Sequence, residues 1–248
     1  MQAQSGEGGK GEARERAGGP MAVDMYHQNE IVRALRLVVQ GAAELTAATD
    51  GSDRVHVGST RLFAPETAVR LVDNSGQVEQ HEVAERISGT EVRLWAEVEG
   101  SFGPEQGAVL QLAEGAGSEL RWVAVGQPWV MPLPHSLQLP AAVVCPVRMS
   151  QPASTGSNRM YQQEYMMDVY YLRQGGEGES AEEALGAKVA DLFNLIMGDP
   201  YLSETCWHSQ VVEVELQGRV AEELRARAPG LQVARIGVLA KRSELWSG

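Results

Sequence analysis

Apolar positions along the chain follow two periods, and the switches between them mark out its architecture. From 24 to 49, Ile31, Leu35, Val38, Ala42 and Leu45 recur at steps of three and four, which places them on one face of a helix. Asp24 stands where an N-cap belongs, and Asp50-Gly51 is a turn pair that ends the run. The period then falls to two. Val55 and Val57 alternate with polar neighbours, and 68–72 and 77–87 read as strands around the tight turn Asp73-Asn74-Ser75-Gly76. Over 91–99, Val92, Leu94, Ala96 and Val98 face one side. The segments 108–112 and 120–125 add two short strands. Turn signals at roughly ten-residue spacing make 53–126 a small antiparallel barrel or curled sheet.

Six prolines between 127 and 159 exclude a long helix there, so the spacing predicts an extended connection with a short strand at 142–148 and a loop at 150–158. Residues 160–173 form a long strand with Tyr161, Gln163, Tyr165, Met167, Val169 and Tyr171 on one face. After the glycine-rich linker 175–178, Ser180 and Glu183 make a capping box for a helix whose buried stripe is Leu185, Val189, Leu192 and Ile196. A loop at 199–209, a strand at 210–217, a short helix near 219–227 and a final strand at 231–241 complete the chain. The expected fold class is α+β: a small, mostly antiparallel sheet with packed helices, interrupted by an inserted all-β module. The α+β part is assigned to 21–52 and 127–248, the barrel-like module to 53–126, and a disordered arm to 1–20. That arm holds six Gly and almost no apolar bulk, so burial cannot offset the entropy of ordering it.

Charge narrows the function classes. Among 248 residues, 33 acidic side chains stand against 21 basic ones, a net charge of −12. The arm is neutral, so the excess belongs to 21–248. A protein that wraps duplex DNA or adheres to anionic membrane needs the opposite balance. No apolar run approaches the length needed to cross a bilayer, and no apolar core of a signal peptide opens the chain. The expectation is therefore a protein made in the cytoplasm.

Candidate chemistry is sparse. The five His residues form neither HxxxH nor HExxH, and Cys145 and Cys206 form no CxxC. Cys206 and His208 stand two apart, and packing around Trp207 accounts for them better than a metal does. Neither glycine-rich stretch has phosphate-loop spacing, and no G-x-S-x-G elbow offers a nucleophile. Glu213 and Glu215 sit at alternate strand positions, the pattern of a solvated face. No catalytic residue, metal or cofactor is assigned, and the chain is read as non-enzymatic. Aromatic residues with few basic neighbours point to packing rather than to base stacking. Tyr161, Tyr165, Tyr201 and Trp207 are the candidate interface residues.

The C-terminal part resembles a known family. Val169-Tyr170-Tyr171-Leu172-Arg173 leads to the helix opening Ala181-Glu182-Glu183-Ala184-Leu185 and ending Leu195-Ile196-Met197-Gly198. Strands then run to Gln232-Val233-Ala234-Arg235-Ile236-Gly237-Val238. This order, with the opening helix, is similar to the tail terminator (tail completion) proteins of long-tailed bacteriophages. The inserted stretch, from Val69-Arg70-Leu71-Val72-Asp73 to Val92-Arg93-Leu94-Trp95, looks like the small β-barrel modules of phage neck and tail proteins. The typical terminator is shorter and lacks this module. The resemblance implies a virion structural protein at the head–tail neck, assembled in host cytoplasm as a homo-hexameric ring. Such a ring caps the tail tube protein, stops its polymerisation and meets the head–tail connector or head-closure protein. Genomic DNA passes through its lumen without specific binding, and no membrane is involved. The alternatives are another neck, head-closure or baseplate interaction protein, and a small enzyme or ligand-binding module.

Overall fold

The computed structural model describes residues 25–49, 51–150, 160–175, 179–216 and 218–245. The arm at 1–20, the Asp24 cap, most of the 150–158 loop and most of the 175–178 linker lie outside the described residues.

The opening helix α1 (Met25–Val39) is shorter than its periodicity suggests. Gly41 ends it in a left-handed conformation (φ +65°), with its N–H donating to the Val38 carbonyl at 2.8 Å. Ala42 and Leu45, which continue the helical spacing, are instead buried in the adjoining sheet. There β1 (Ala42–Glu44) pairs antiparallel with β6 (Val109–Leu112).

The strands β2 (Arg54–His56), β3 (Ala68–Val72), β4 (Val78–Arg86) and β5 (Glu91–Leu94) complete the first sheet, in the order β1-β6-β3-β4-β5-β2. A bridge between Leu45 and Val57 joins its two ends and closes a barrel. The Thr46 N–H donates to the His56 carbonyl at 2.9 Å, and the Gly58 N–H to that of Glu44 at 3.0 Å. Closure removes the free strand edges that would otherwise invite association. Inside lie Phe63, Val69, Leu71, Val92, Phe102 and Leu110, contributed by alternate strand positions and by the loops that plug the ends. At one turn, Asp73 Oδ1 accepts the Ser75 and Gln77 N–H groups, each at 2.9 Å. Nearby, the Glu79 carboxylate accepts the N–H groups of Glu99 and Gly100, both at 2.8 Å. Burial works against ionisation of Glu79, but those bonds and His81 outweigh it and hold the carboxyl below its usual range.

The second sheet has the order β10-β11-β9-β8-β7. Its strands are β7 (Trp122–Val125), β8 (Ala141–Ser150), β9 (Met160–Gln174), β10 (His208–Glu215) and β11 (Leu231–Leu245). All neighbours are antiparallel except β7 and β8, which run parallel. Here the reading of 53–126 as one module needs correction at both ends. Strand β1 precedes that range and belongs to the barrel, whereas β7 lies within it and belongs to the other sheet. The break between them is α2 (Ala116–Glu119), which packs against the end of α1. A Cβ on Gly117 would stand 2.7 Å from the Val39 carbonyl oxygen, so this approach requires glycine.

Alternation along β9 divides the core. Tyr165, Met167, Val169 and Tyr171 face α1 and α3 (Glu179–Gly198), where Leu185, Val189, Leu192 and Ile196 form the buried stripe read from the sequence. Tyr170 and Leu172 face the other way, packing with Val143 and Val233 beneath α4 (Arg219–Arg227) and the proline-rich connection. The result is an α+β fold: a mostly antiparallel sheet with packed helices, and a small barrel joined to it. Among the described residues no helix is long and apolar enough to cross a membrane.

Candidate interaction surface

The four interface candidates have different fates. Tyr165 is a core residue, not a contact residue: it lies on the helix-covered face of β9, and its hydroxyl donates to the buried Gln163 carboxamide oxygen. Tyr161 is paired with Glu244 through the backbone of β9, and its side chain lies outside the described residues. Tyr201 and Trp207 both belong to the loop between α3 and β10. Tyr201 is half-buried under the Arg61 guanidinium, 4.3 Å from its ring centroid. It therefore joins the barrel to the sheet. Trp207 is 49% exposed, with its ring 5.9 Å from that of His208.

Other exposed apolar groups were not singled out from the sequence. Trp95 is 69% exposed at the end of β5, and Val130 is 71% exposed beside Trp129. On β10, an edge strand of its sheet, Val212, Val214 and Leu216 at its end face solvent. A register shift between Val211 and Glu213 makes Val212 the extra residue of a bulge. Period-two reading placed these valines on a regular strand and could not locate the bulge that turns them.

The junction between barrel and sheet is built on a strained loop. Leu202, Ser203 and Glu204 have φ of 45°, 55° and 64°, a run that L-residues adopt only when held. Asp199 holds it: its Oδ2 accepts the Ser203 N–H at 2.9 Å, and Arg61 Nε lies 3.8 Å from Oδ1. Burial pushes the Asp199 carboxyl above its ordinary range despite the backbone bonds and Arg61, which act the other way. A carboxyl whose folded pKa is raised costs stability above that pKa, and the cost vanishes as pH falls through it. Asp199→Asn keeps an acceptor for Ser203. It is expected to melt higher than wild type at pH 8 and to lose that advantage on acidification. Thermal melts across pH check this, and a melt lowered equally at every pH would refute it.

The thiols show no sign of activation. Burial pushes Cys145 up to about 11 and Cys206 up to about 12, so both remain protonated at neutral pH. Among the described residues no group of three or more His, Cys, Asp or Glu is placed to hold a metal ion. The surface offers exposed aromatic and aliphatic side chains on both the barrel and the sheet.

No protein-family model matches the chain, and no curated protein matches it.

Proposed function

We propose that the chain is a ring-forming tail terminator of a long-tailed bacteriophage, working at the head–tail neck. The observation that carries the reading is the order of elements. An opening helix and a later long helix lie on one face of a mostly antiparallel sheet, with a closed barrel spliced between the first helix and that sheet. In this reading, copies of the chain form a homo-hexameric ring on the last ring of the tail tube protein, stop its growth and present a face to the head connector. Trp95, Val130 and Trp207 supply contact area of the kind that subunit interfaces use. Each contact would bury about 800 Å² per partner. The net charge of −12 suits a channel that DNA slides through, because a basic wall would hold phosphates.

Mass photometry and negative-stain microscopy test the reading. A ring of six copies of the 26.8 kDa chain is expected, alone or on assembled tail tube. A chain that stays monomeric in both settings would sink it. The closed barrel favours a second reading, a neck, head-closure or baseplate interaction protein that uses the barrel for contact. Location at the distal tail tip in a virion map would select that one.

A further inference from the structure

The five-stranded sheet ends in two open edges, β10 on one side and β7 on the other. Edge strands in soluble proteins are usually blunted by charge, proline or irregular pairing. Strand β7 has none of these: Trp122-Val123-Ala124-Val125 carries no charge and no proline, and it pairs with β8 without a shift. Its outer side has no strand partner among the described residues. Strand β10 keeps a regular stretch from Glu213 to Glu215 beyond its bulge, with Val214 and the following Leu216 exposed. The two edges also have opposite senses. Strands β10 and β9 run one way, and β11, β8 and β7 the other. In a rotational ring every copy points the same way along the axis. There β10 of one copy meets β7 of the next antiparallel, the more stable pairing.

The register of the sheet carries across this joint. Val214 is level with Ile236, Val169, Val144 and Val125 in turn, and Glu215 with Ala124. Ile236, Val169 and Val144 belong to the core under α1 and α3, so Val214 and Val125 lie on that helix-covered face. They are 44% and 45% exposed, at the two rims of one layer, and unshifted pairing sets them side by side. Beyond Val125, β7 ends while β8 runs on to Ser150, which leaves a step one strand deep. Val147 and Arg148 are exposed on that step, and Arg148 has no ion pair or hydrogen bond among the described residues. Glu213 is level with Cys145 at the head of the step, with the exposed Val212 bulge behind it. Met166, opposite Arg148, and Asp168, in line with Glu213, alternate onto one face of β9, so Arg148 and Glu213 share a face too. An apolar pair and an opposite-charge pair thus fall into place together. Pairing of β10 with a second β10 about a two-fold axis centred on Glu213 or Val214 sets glutamate against glutamate, which disfavours it.

We propose that β10 of one copy adds to β7 of the next, so that the sheets of successive copies join edge to edge, with Val214 against Val125 and Glu213 near Arg148. This contact rests on the ring reading and names the surface that builds the ring; a heterologous joint of this kind closes when the rotation between copies does. The test is cross-linking of the full-length chain carrying both Val125→Cys and Val214→Cys with a short bismaleimide, while mass photometry follows ring formation alone and on assembled tail tube. Within one copy the two positions are four strand spacings apart, about 19 Å, which the linker cannot span. Cys145 and Cys206 are buried, so the wild-type chain is the unreactive control. A ladder of cross-linked species up to six copies is expected from the double variant, and monomer alone from either single variant. Val125→Lys and Arg148→Glu, both at exposed positions, should raise the concentration at which rings dissociate about tenfold. Val78→Lys, exposed on the barrel, should leave it unchanged. Rings that form without a ladder, or that Val125→Lys leaves as stable as wild type, would overturn the edge contact and leave the ring reading standing. Dimers cross-linked through Val214→Cys alone would overturn it in favour of two-fold pairing of β10. A wild-type chain without rings in either setting removes both the contact and the ring reading. Thermal melts confirm that each variant is folded. If the double cysteine chain does not fold, Val125→Lys alone decides.

Discussion

Arg235→Ala is expected to cost about 3 kcal/mol of unfolding free energy at neutral pH, among the largest losses for any single charged side chain here. Arg235 sits on β11 with three carboxylates around its guanidinium: Asp168 at 3.1 Å, Glu213 at 2.6 Å and Glu215 at 2.9 Å. The three are not equivalent. Glu213 and Glu215 are partly exposed on the edge strand, and water replaces the lost pairing at small cost. The Asp168 side chain is only 9% exposed, lies in register between Cys145 and Gly237, and among the described residues keeps one other donor, the Tyr170 hydroxyl at 3.1 Å. Removing Arg235 leaves that carboxylate buried and unpaired, which accounts for most of the loss. Adding Asp168→Asn should restore part of the stability at neutral pH, with a coupling of at least about 1 kcal/mol between the two sites. Urea unfolding of the two single variants and the double variant at pH 7 measures both the loss and the coupling. A loss with no coupling would mean that Arg235 acts through its packing alone.

Much of this sheet was legible from the sequence because its strands are long and its faces unambiguous. The alternation from Gln163 to Tyr171 assigned the helix-covered face of β9, and the stripe from Leu185 to Ile196 assigned the helix that covers it. The failures have local causes. Ala42 and Leu45 satisfy both a helical step and a buried strand position, and only Gly41 in the middle of the run signals the change. Strand β7 looked like the last strand of the barrel because turn spacing is blind to pairing. Its parallel partner β8 follows a proline-rich crossover, and the Gly117 approach that separates it from β6 is a tertiary fact. The contact candidates divide for a related reason. Tyr165 and Trp207 are equally aromatic, and only the covering of one face by α1 and α3 makes the first a core residue and leaves the second in solvent.

Phe102→Ala is expected to unfold the barrel before the sheet, at a cost of about 3–5 kcal/mol. Phe102 is fully buried and plugs one end of the barrel. Its backbone is tied to Thr49: the Thr49 N–H donates to the Phe102 carbonyl at 2.8 Å, and the Phe102 N–H donates to Thr49 Oγ1 at 2.9 Å. The ring thus fixes the point where the chain enters the barrel as well as filling its core. The barrel's buried cluster and the one beneath α1 and α3 share no residue. Among the links between barrel and sheet are polar ones near the surface, such as that of Arg61 to Glu204. Interactions of that kind couple two units weakly. Hydrogen exchange read by mass spectrometry should therefore show the amides of β3, β4 and β6 losing protection in the variant while those of β9 and β11 keep it. Uniform loss over both sheets would show instead that the two cores unfold as one cooperative unit. The sheet would then depend on the barrel spliced into it, and the barrel would not be an appended contact module.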